Sequence, residues 1–510
     1  MNNKLNISLL LLFIFGCDEP TYQTQKSTIS QPKFDDIQYI EGDLIKINNY
    51  FGLIDSVNNH LFMSIGLNDI SNFTGNIKYP KNYAITIKDN FIHSNQNYDF
   101  GNIILGEPIP IKILKNDTII NDYDLIFTNL STISVSTIDS ILDDPKVFSR
   151  ILINDIENDE AYQMFAGIEI RGGTSQWYPK KSYDLEFWDD SSGIETRKES
   201  LFGLRNDDDW HLDAMFIDLS RSRGILGMDT WSSFARSHHL SNESEAQLAQ
   251  RGHLVELILN KQYAGIYSMN EQLDRKQLKL KKDSGLLYKT TSWSDEILFL
   301  GIDSEPGASL YWEGYELKYP DLAMVENWAP IYNLVNLVAY SNDEDFLNNI
   351  ESLIDLDNAI DYWLFINAIQ ANDNGGKNMF IYRYEIGNPL AFTAWDLDLT
   401  FGNKNTVWTV DVSDERIISN NLYDRLFELN VNNYRSRVKT RWEQIYSNNL
   451  YSDIVYRLNE KINKINISGA NTRENNRWDI EIDYNQKLQY ITSWLEIRLD
   501  YFDNYIFENF

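Results

Sequence analysis

The segment 370–402, QANDNGGKNMFIYRYEIGNPLAFTAWDLDLTFG, sets Asp373, Asp396 and Asp398 among aromatic and aliphatic side chains. A carboxylate taken out of water costs several kcal/mol unless a cation or hydrogen-bond donors compensate it. A fold that buries this segment must leave the three groups wet or place something positive between them. An apolar helix, DYWLFINAIQAN, leads into Asp373 and a Gly-Gly turn; the strand MFIYRYE follows, and after a turn at GNP a second strand runs into WDLDLTFG. Alternation over that end puts Trp395, Leu397, Leu399 and Phe401 on one face and Asp396 and Asp398 on the other.

Asn378 stands five positions after Asp373. Asp-x4-Asn followed by a separate Asp is the spacing protein kinases use, where one Asp takes the substrate hydroxyl's proton and the Asn and later Asp hold Mg2+. Hard oxygen ligands suit that ion. The same residues also suit an Asx-turn at Asp373 and a strand-ending turn at the other two. Both readings stand on spacing alone.

Three further stretches carry chemistry-bearing residues. In IEIRGGTSQWYPKKSYDLEFWDD, residues 168–190, alternation after Pro179 places Lys181 with Tyr183, Leu185 and Phe187, and sends Lys180 to the polar face. A lysine on an apolar face needs an anion, either a phosphate or a buried Glu, unless it snorkels to water. Arg171 and GGTS form a small loop with backbone amides open to an anion. In DDWHLDAMFIDLSRSRGILG, Asp218 precedes Arg223 at a helix start, the place of a capping residue. VELILNKQYAGIYSMNEQLD reads as a hairpin that delivers Glu271 at its far end, either exposed or as a partner for Lys181.

At 510 residues the chain exceeds one usual core, so about two or three domains are expected. Acidic residues number 75 against 45 basic ones, a formal charge of −30 that repels phosphate polymers and argues against nucleic-acid or anionic-membrane binding. The N-terminus, MNNKLNISLLLLFIFGC, has one Lys, an apolar run of signal-peptide length and then Cys17, the single cysteine. With Gly16 before it, Cys17 resembles the acylated cysteine of a bacterial lipobox. Residues 1–17 therefore read as a lipoprotein signal peptide and 18–36 as a polar tether. Short runs such as YAITIK, GNIILG and IPIKIL within 37–130 read as a small β-sandwich. Residues 131–510 read as one mixed domain whose last part is long amphipathic helices.

In order along the chain, RGGTSQWYPKKSYDLEF, WHLDAMFIDLSRSRGIL, ELILNKQYAGIYSMNEQLD, GLLYK, YELKYP, ANDNGGKNMFIY and AWDLDLTFG closely resemble the CotH kinase family, named for a spore-coat protein H. The fold class expected is then α+β: a divergent protein-kinase-like domain preceded by a small β-sandwich-like domain. The resemblance implies Mg2+-dependent (or Mn2+-dependent) transfer of the ATP γ-phosphate to Ser or Thr of a protein at the cell surface or in the envelope. It makes Asp373 the catalytic residue, Asp396 the metal ligand, and Asn378 and Asp398 further metal or supporting residues. Lys181 matches the phosphate-contacting lysine, Lys180 is second choice, and Arg171 and Glu271 join the nucleotide site. Gly224 stands where the family usually has Asn, and RGGTS replaces the commoner RGNSS. The rivals are a non-catalytic binding or assembly lipoprotein and a metal-dependent phosphohydrolase; among six histidines only His238 and His239 are adjacent, which weighs against a two-metal hydrolase. The expected place is the cell envelope, lipid-anchored to a bacterial membrane through Cys17.

Overall fold

Short apolar runs broken by Asn, Asp and Gly pair into two sheets at the start of the chain. The computed structural model describes residues 45–403 and 415–510; Cys17 and the tether expected at 18–36 lie outside the described residues. One sheet contains Lys46–Ile47, Tyr50–Phe51, Phe73–Lys78 and Gln96–Gly101, and the other is centred on His60–Ser64, Thr118–Thr128, Pro108–Lys115 and Ala84–Ile87. Ile47, Ile77 and Phe100 of the first pack with Leu61, Ile85 and Ile111 of the second. Of the run GNIILG, expected as strand, only Gly101 is strand, and the chain then bends and turns. Gly101 and Gly106 there take left-handed φ values of 68° and 79°, which take the chain out of strand geometry.

Seven strands then close on themselves. In neighbour order they are Ser131–Ser136, Val147–Asp155, Glu160–Arg171, Ser182–Trp188, Asp209–Asp213, Gln262–Glu271 and Gly252–Leu259, and a parallel pairing of the last with the first shuts the barrel. Alternate inward residues fill it, among them Ile133, Ile151, Leu185, Trp210 and Leu257, all fully buried. The final hairpin turns at Asn260 and Lys261, whose φ values of 49° and 62° are those a two-residue turn needs to match strand twist.

The remaining chain forms a helical lobe around a five-stranded antiparallel sheet. Its strand order is Tyr311–Trp312, Tyr315–Tyr319, Leu286–Thr290, Met379–Arg383 and Leu390–Ala394. The helix Leu356–Ala368 is buried at nearly every position, as its lack of a polar face requires. Four helices, Tyr434–Ser447, Leu450–Ile467, Ala470–Trp478 and Tyr484–Asn509, close the lobe. The architecture is thus mixed α+β. Among the described residues no helix is long and apolar enough to cross a membrane.

Buried charge joins barrel to lobe. Glu474, in the helix Ala470–Trp478, accepts from Lys180 Nζ at 2.7 Å, Arg221 Nε at 2.9 Å and the Ile266 amide at 2.8 Å. All three side chains are fully buried. Gly265 lets Glu474 in: a Cβ there would lie 2.1 Å from Glu474 Oε2, and its φ is +112°. Glu256 repeats the motif, accepting from Arg473, Tyr263 and Thr128, the last at 2.6 Å. Burial pushes the Lys180 pKa down to about 7, against the pull of Glu474. Removing Glu474 strands two cations in the interior. Glu474→Ala should therefore destabilise the protein by about 3–5 kcal/mol in urea unfolding. A loss below about 1 kcal/mol, the scale of an exposed pair, would show that the cations are compensated otherwise.

Candidate active site

The hairpin Met379–Arg383/Leu390–Ala394 positions two of the expected residues by its register. Met379 pairs with Ala394, so Asn378 and Asp396 emerge at the same end, and the Trp395 amide donates to Asn378 O at 3.1 Å. Asp373 arrives from the helix Leu356–Ala368 through a single turn, Asn372–Gly375. Asn374 ties that turn to the hairpin, its amide donating to the carbonyls of Asn378 at 2.6 Å and Trp395 at 2.8 Å. As a result Asn378 Nδ2 lies 3.5 Å from Asp373 Oδ2 and 3.4 Å from Asp396 Oδ2. These distances are at the limit of hydrogen bonding. The amide occupies the place between two carboxylates where a cation would be drawn.

The strand expected to run on through WDLDLTFG stops at Ala394. Asp396 takes a left-handed φ of 58° and Phe401 one of 49°, so alternation does not hold beyond the strand. Asn378 is left-handed as well, at 56°. Asn and Asp tolerate this region best among residues with a side chain, and such backbone recurs at functional sites. Leu397 anchors the turn. It packs on Gly227 of the helix Arg223–Phe234, where a Cβ would approach Leu397 Cδ1 to 2.8 Å.

The barrel supplies the facing wall. Asp213 ends the strand Asp209–Asp213 and lines a cleft with Asp218, Asp396, Asp398, Gln250 and Asn270. Asp218 is already neutralised: Arg223 Nη1 donates to it at 2.7 Å, and it caps the helix through the amides of Ser222 and Arg223. Among the described residues the other acids have no such ion-pair partner. Asp396 keeps solvent access at the cleft mouth, yet surrounding protein crowds its carboxylate. Its pKa is raised first by that desolvation and then by Asp213, with Lys289 opposing. Asp398 is pushed well above the carboxylate range by burial and then by Asp396 and Asp213. Two carboxylates and an amide whose oxygen can be turned inward are hard ligands suited to a divalent ion. A tighter group lies elsewhere: the oxygens of Asp207, Asp208 and Asp209 are all within 4.8 Å, but Lys276 and Arg205 already pair with it.

The lysine expectations need correction. The strand begins at Ser182, so alternation starts one residue after Lys181. Tyr183, Leu185 and Phe187 do face the core, but Lys181 bends back to donate to the carbonyls of Gln176 and Tyr178. Lys180, expected on the polar face, is the buried one and pairs with Glu474. Glu271 is neither exposed nor a partner for Lys181; it is buried and held by Arg251, Gln277 and the Arg205 amide. Arg171 does lie near the acids, pairing with Asp184 at 3.0 Å and standing 5.8 Å from the Trp395 ring. Asp213 and Lys289 were not singled out from the sequence, although WHLDAMFID and GLLYK contain them. At Gly224 a Cβ would meet open space, so the usual asparagine would fit.

These features define a mixed α+β protein with a carboxylate–amide site where a barrel meets a helical lobe. A family model described as CotH kinase protein matches residues 168–502, well over half of the chain. The chain belongs to the CotH kinase family. No curated protein matches it.

The raised carboxyls carry a pH dependence. A folded-state pKa above the unfolded one means the folded protein binds more protons, so stability falls as pH rises from the ordinary carboxylate range through the raised values. Asp398→Asn should raise the melting temperature at pH 7 without divalent ions, and the gain should shrink towards pH 4. Added Mn2+ should raise the melting temperature of the unsubstituted protein more at pH 7 than at pH 5, and Asp396→Asn should lose that rise. Thermal scans at the three pH values test all of this.

Proposed function

We propose that the protein is an atypical kinase that transfers the ATP γ-phosphate to a Ser or Thr hydroxyl of a protein in the cell envelope. Family membership supports kinase-like chemistry, and one observation carries the finer reading: Asp373 and Asp396 converge on the two sides of the Asn378 amide. Asp373, on the short turn, is the residue to orient the acceptor hydroxyl and accept its proton. As the proton leaves, the hydroxyl oxygen bonds to the γ-phosphorus and the bond from that phosphorus to the ADP oxygen breaks. Asp396, with Asn378 and Asp398, would hold Mg2+ or Mn2+, which when bound neutralises charge on the transferred group. The helix–turn and the hairpin fix these side chains before substrate arrives, so positioning supplies much of the rate. The −30 formal charge repels ATP at long range, and binding therefore relies on local cations.

The test incubates the soluble form beginning at Asp18 with γ-labelled ATP, divalent ion and envelope proteins. Label on protein supports transfer. Free phosphate alone would indicate a phosphohydrolase, and neither product a binding module. Asp373→Ala should lower transfer by about 10²–10⁴-fold while leaving ATP binding intact.

We also place the protein on a bacterial membrane through acylated Cys17, with residues 18–36 as its tether. The support is the apolar run and Gly-Cys of the leader. Cys17→Ala should move the full-length chain from the membrane to the soluble fraction on cell fractionation; unchanged membrane retention would refute the anchor.

A further inference from the structure

Three hollows follow one another where the N-terminal sandwich meets the barrel. The largest, of about 590 Å³, has buried Ile47, Met63 and Ile65 in its lining. Exposed Asn49, Asn68, Asp69 and Ser71 line it as well. A second, of about 380 Å³, shares Asn48, Asn49 and Asp159 with the first. A third, of about 560 Å³, shares Gly66 and Asn68 with the first and reaches the helix Leu450–Ile467 at Lys461 and Lys464. Sites for small ligands measure about 300–1,000 Å³. Hollows that share walls in sequence suit a chain of linked units better than one compact molecule. The first two are lined by residues before 168, outside the span matched by the kinase family.

The rim of the first hollow is held in place by backbone bonds. Asn48 Oδ1 accepts from the Asn76 amide at 2.9 Å, and Asn102 Oδ1 from the Asn72 amide at 3.0 Å. Phe73 stacks on Phe100 at 5.6 Å, and the Tyr50 hydroxyl donates to Asp159 at 2.9 Å, so two half-buried rings are fixed in the lining. Among the described residues no lysine or arginine lines this hollow. The third hollow adds unmet polar groups. Asn129 is 1% exposed, and among the described residues its Oδ1 has no hydrogen-bond partner. His253 Nε2 is likewise buried and unpaired, with Glu157 Oε1 3.7 Å away, beyond hydrogen-bonding distance. The His253 ring stacks on Phe202 at 4.9 Å. The lysines there are already occupied, Lys461 by Asp229 and Lys464 by Glu157, each at 2.7 Å. A buried amide oxygen without a donor is unfavourable until a ligand supplies one.

The ligand that meets these demands is neutral and dense in groups that both donate and accept. Asp69 and Asp159 only accept, whereas the asparagines do both. Adjacent sugar hydroxyls satisfy a carboxylate and an amide side by side, and the C–H face of the ring packs on tyrosine or phenylalanine. An extended peptide offers one N–H and one C=O per residue, about every 3.3 Å, too sparse for so polar a rim. A uronate or phosphate chain would meet Asp69 and Asp159 with no cation in the first hollow to offset them. We infer that the three hollows form a trough that binds a neutral oligosaccharide chain, with the first hollow as its principal subsite. This gives the N-terminal domain the task of docking the protein on a polysaccharide. It uses neither Asp373 nor Asp396 and does not depend on the kinase reading.

The experiment probes the soluble protein beginning at Asp18 with an array of immobilised neutral and uronate oligosaccharides. The dimer and tetramer of the best neutral binder, and an oligolysine peptide, are then titrated by calorimetry. At least one neutral chain should bind, and the uronates and oligolysine should not. Asp69→Asn and Asn68→Ala should each weaken the tetramer by about 10-fold or more, the scale of a hydrogen bond to a charged or well-fixed group. Asn90→Ala, which lines none of the hollows, should bind as the unsubstituted protein does. Asn68 and Asp69 are exposed, so their substitution should leave the melting temperature unchanged and misfolding does not mask the result. The tetramer should bind more tightly than the dimer, and Asn129→Ala should reduce that gain. The trough is overturned if no neutral chain binds, if binding is confined to uronates or oligolysine, or if Asp69→Asn and Asn68→Ala bind normally. A tetramer no tighter than the dimer overturns the extension into the third hollow.

Discussion

Like charges gathered at a seam govern this molecule. Asp213 comes from the barrel and Asp396 and Asp398 from the lobe; desolvation and then Asp213 raise the pKa of Asp396, and desolvation, Asp396 and Asp213 raise that of Asp398. Lobe and barrel would part at this point if repulsion alone acted. Arg223 and Glu474 hold them together, and both are buried. The arrangement spends stability to keep negative charge concentrated and only partly hydrated. A multivalent cation bound there would relieve repulsion that folding has already imposed.

The indole of Trp395 adds a second constraint. Lys289 and Arg171 could neutralise Asp396 if their side chains were free to fall onto it. Arg171 is held by Asp184 and Lys289 stands over the ring, so the positive and negative groups stay adjacent and unmerged.

Local pattern revealed those parts of the fold that local forces decide. The alternation of Tyr183, Leu185 and Phe187, the turn at Asn260 and Lys261, the Asp218 cap and the long buried helix before Asp373 were all legible. So was the convergence of Asp373, Asn378 and Asp396, because one hairpin and one short turn connect them. The lysines were not. Lys180 meets Glu474 across 294 positions of sequence, and no period of two or 3.6 residues carries that information. Alternation extended upstream from Ser182 gave the wrong parity, since Pro179 to Lys181 are not strand. Barrel closure escaped for the same reason: the parallel pairing of Ser131–Ser136 with Gly252–Leu259 joins segments that show no sign of each other. The left-handed turn at Asp396 ended a strand whose hydrophobic pattern ran on.

Coupling between the two halves of the site passes through few groups. Arg223 donates to Asp218 on the barrel side and, through Nε, to Thr400 O at 3.0 Å in the segment that follows Asp398. The Phe401 amide then donates to Ile369 O at 2.9 Å, at the end of the helix that leads to Asp373. One guanidinium thus links the cap of a helix, the acidic turn and the base of the turn that carries Asp373. Glu474 fixes the opposite side of the barrel by binding Lys180 and Arg221, and Arg221 in turn grips the carbonyls of Phe216 and Asp218. The loop Met215–Arg221 between Asp213 and Arg223 is consequently held at both ends by buried charge. A lever of that stiffness sets the distance from Asp213 to Asp396 without touching substrate. The C-terminal helices are therefore part of the candidate site's geometry, although none of their side chains lines the cleft between Asp213 and Asp398.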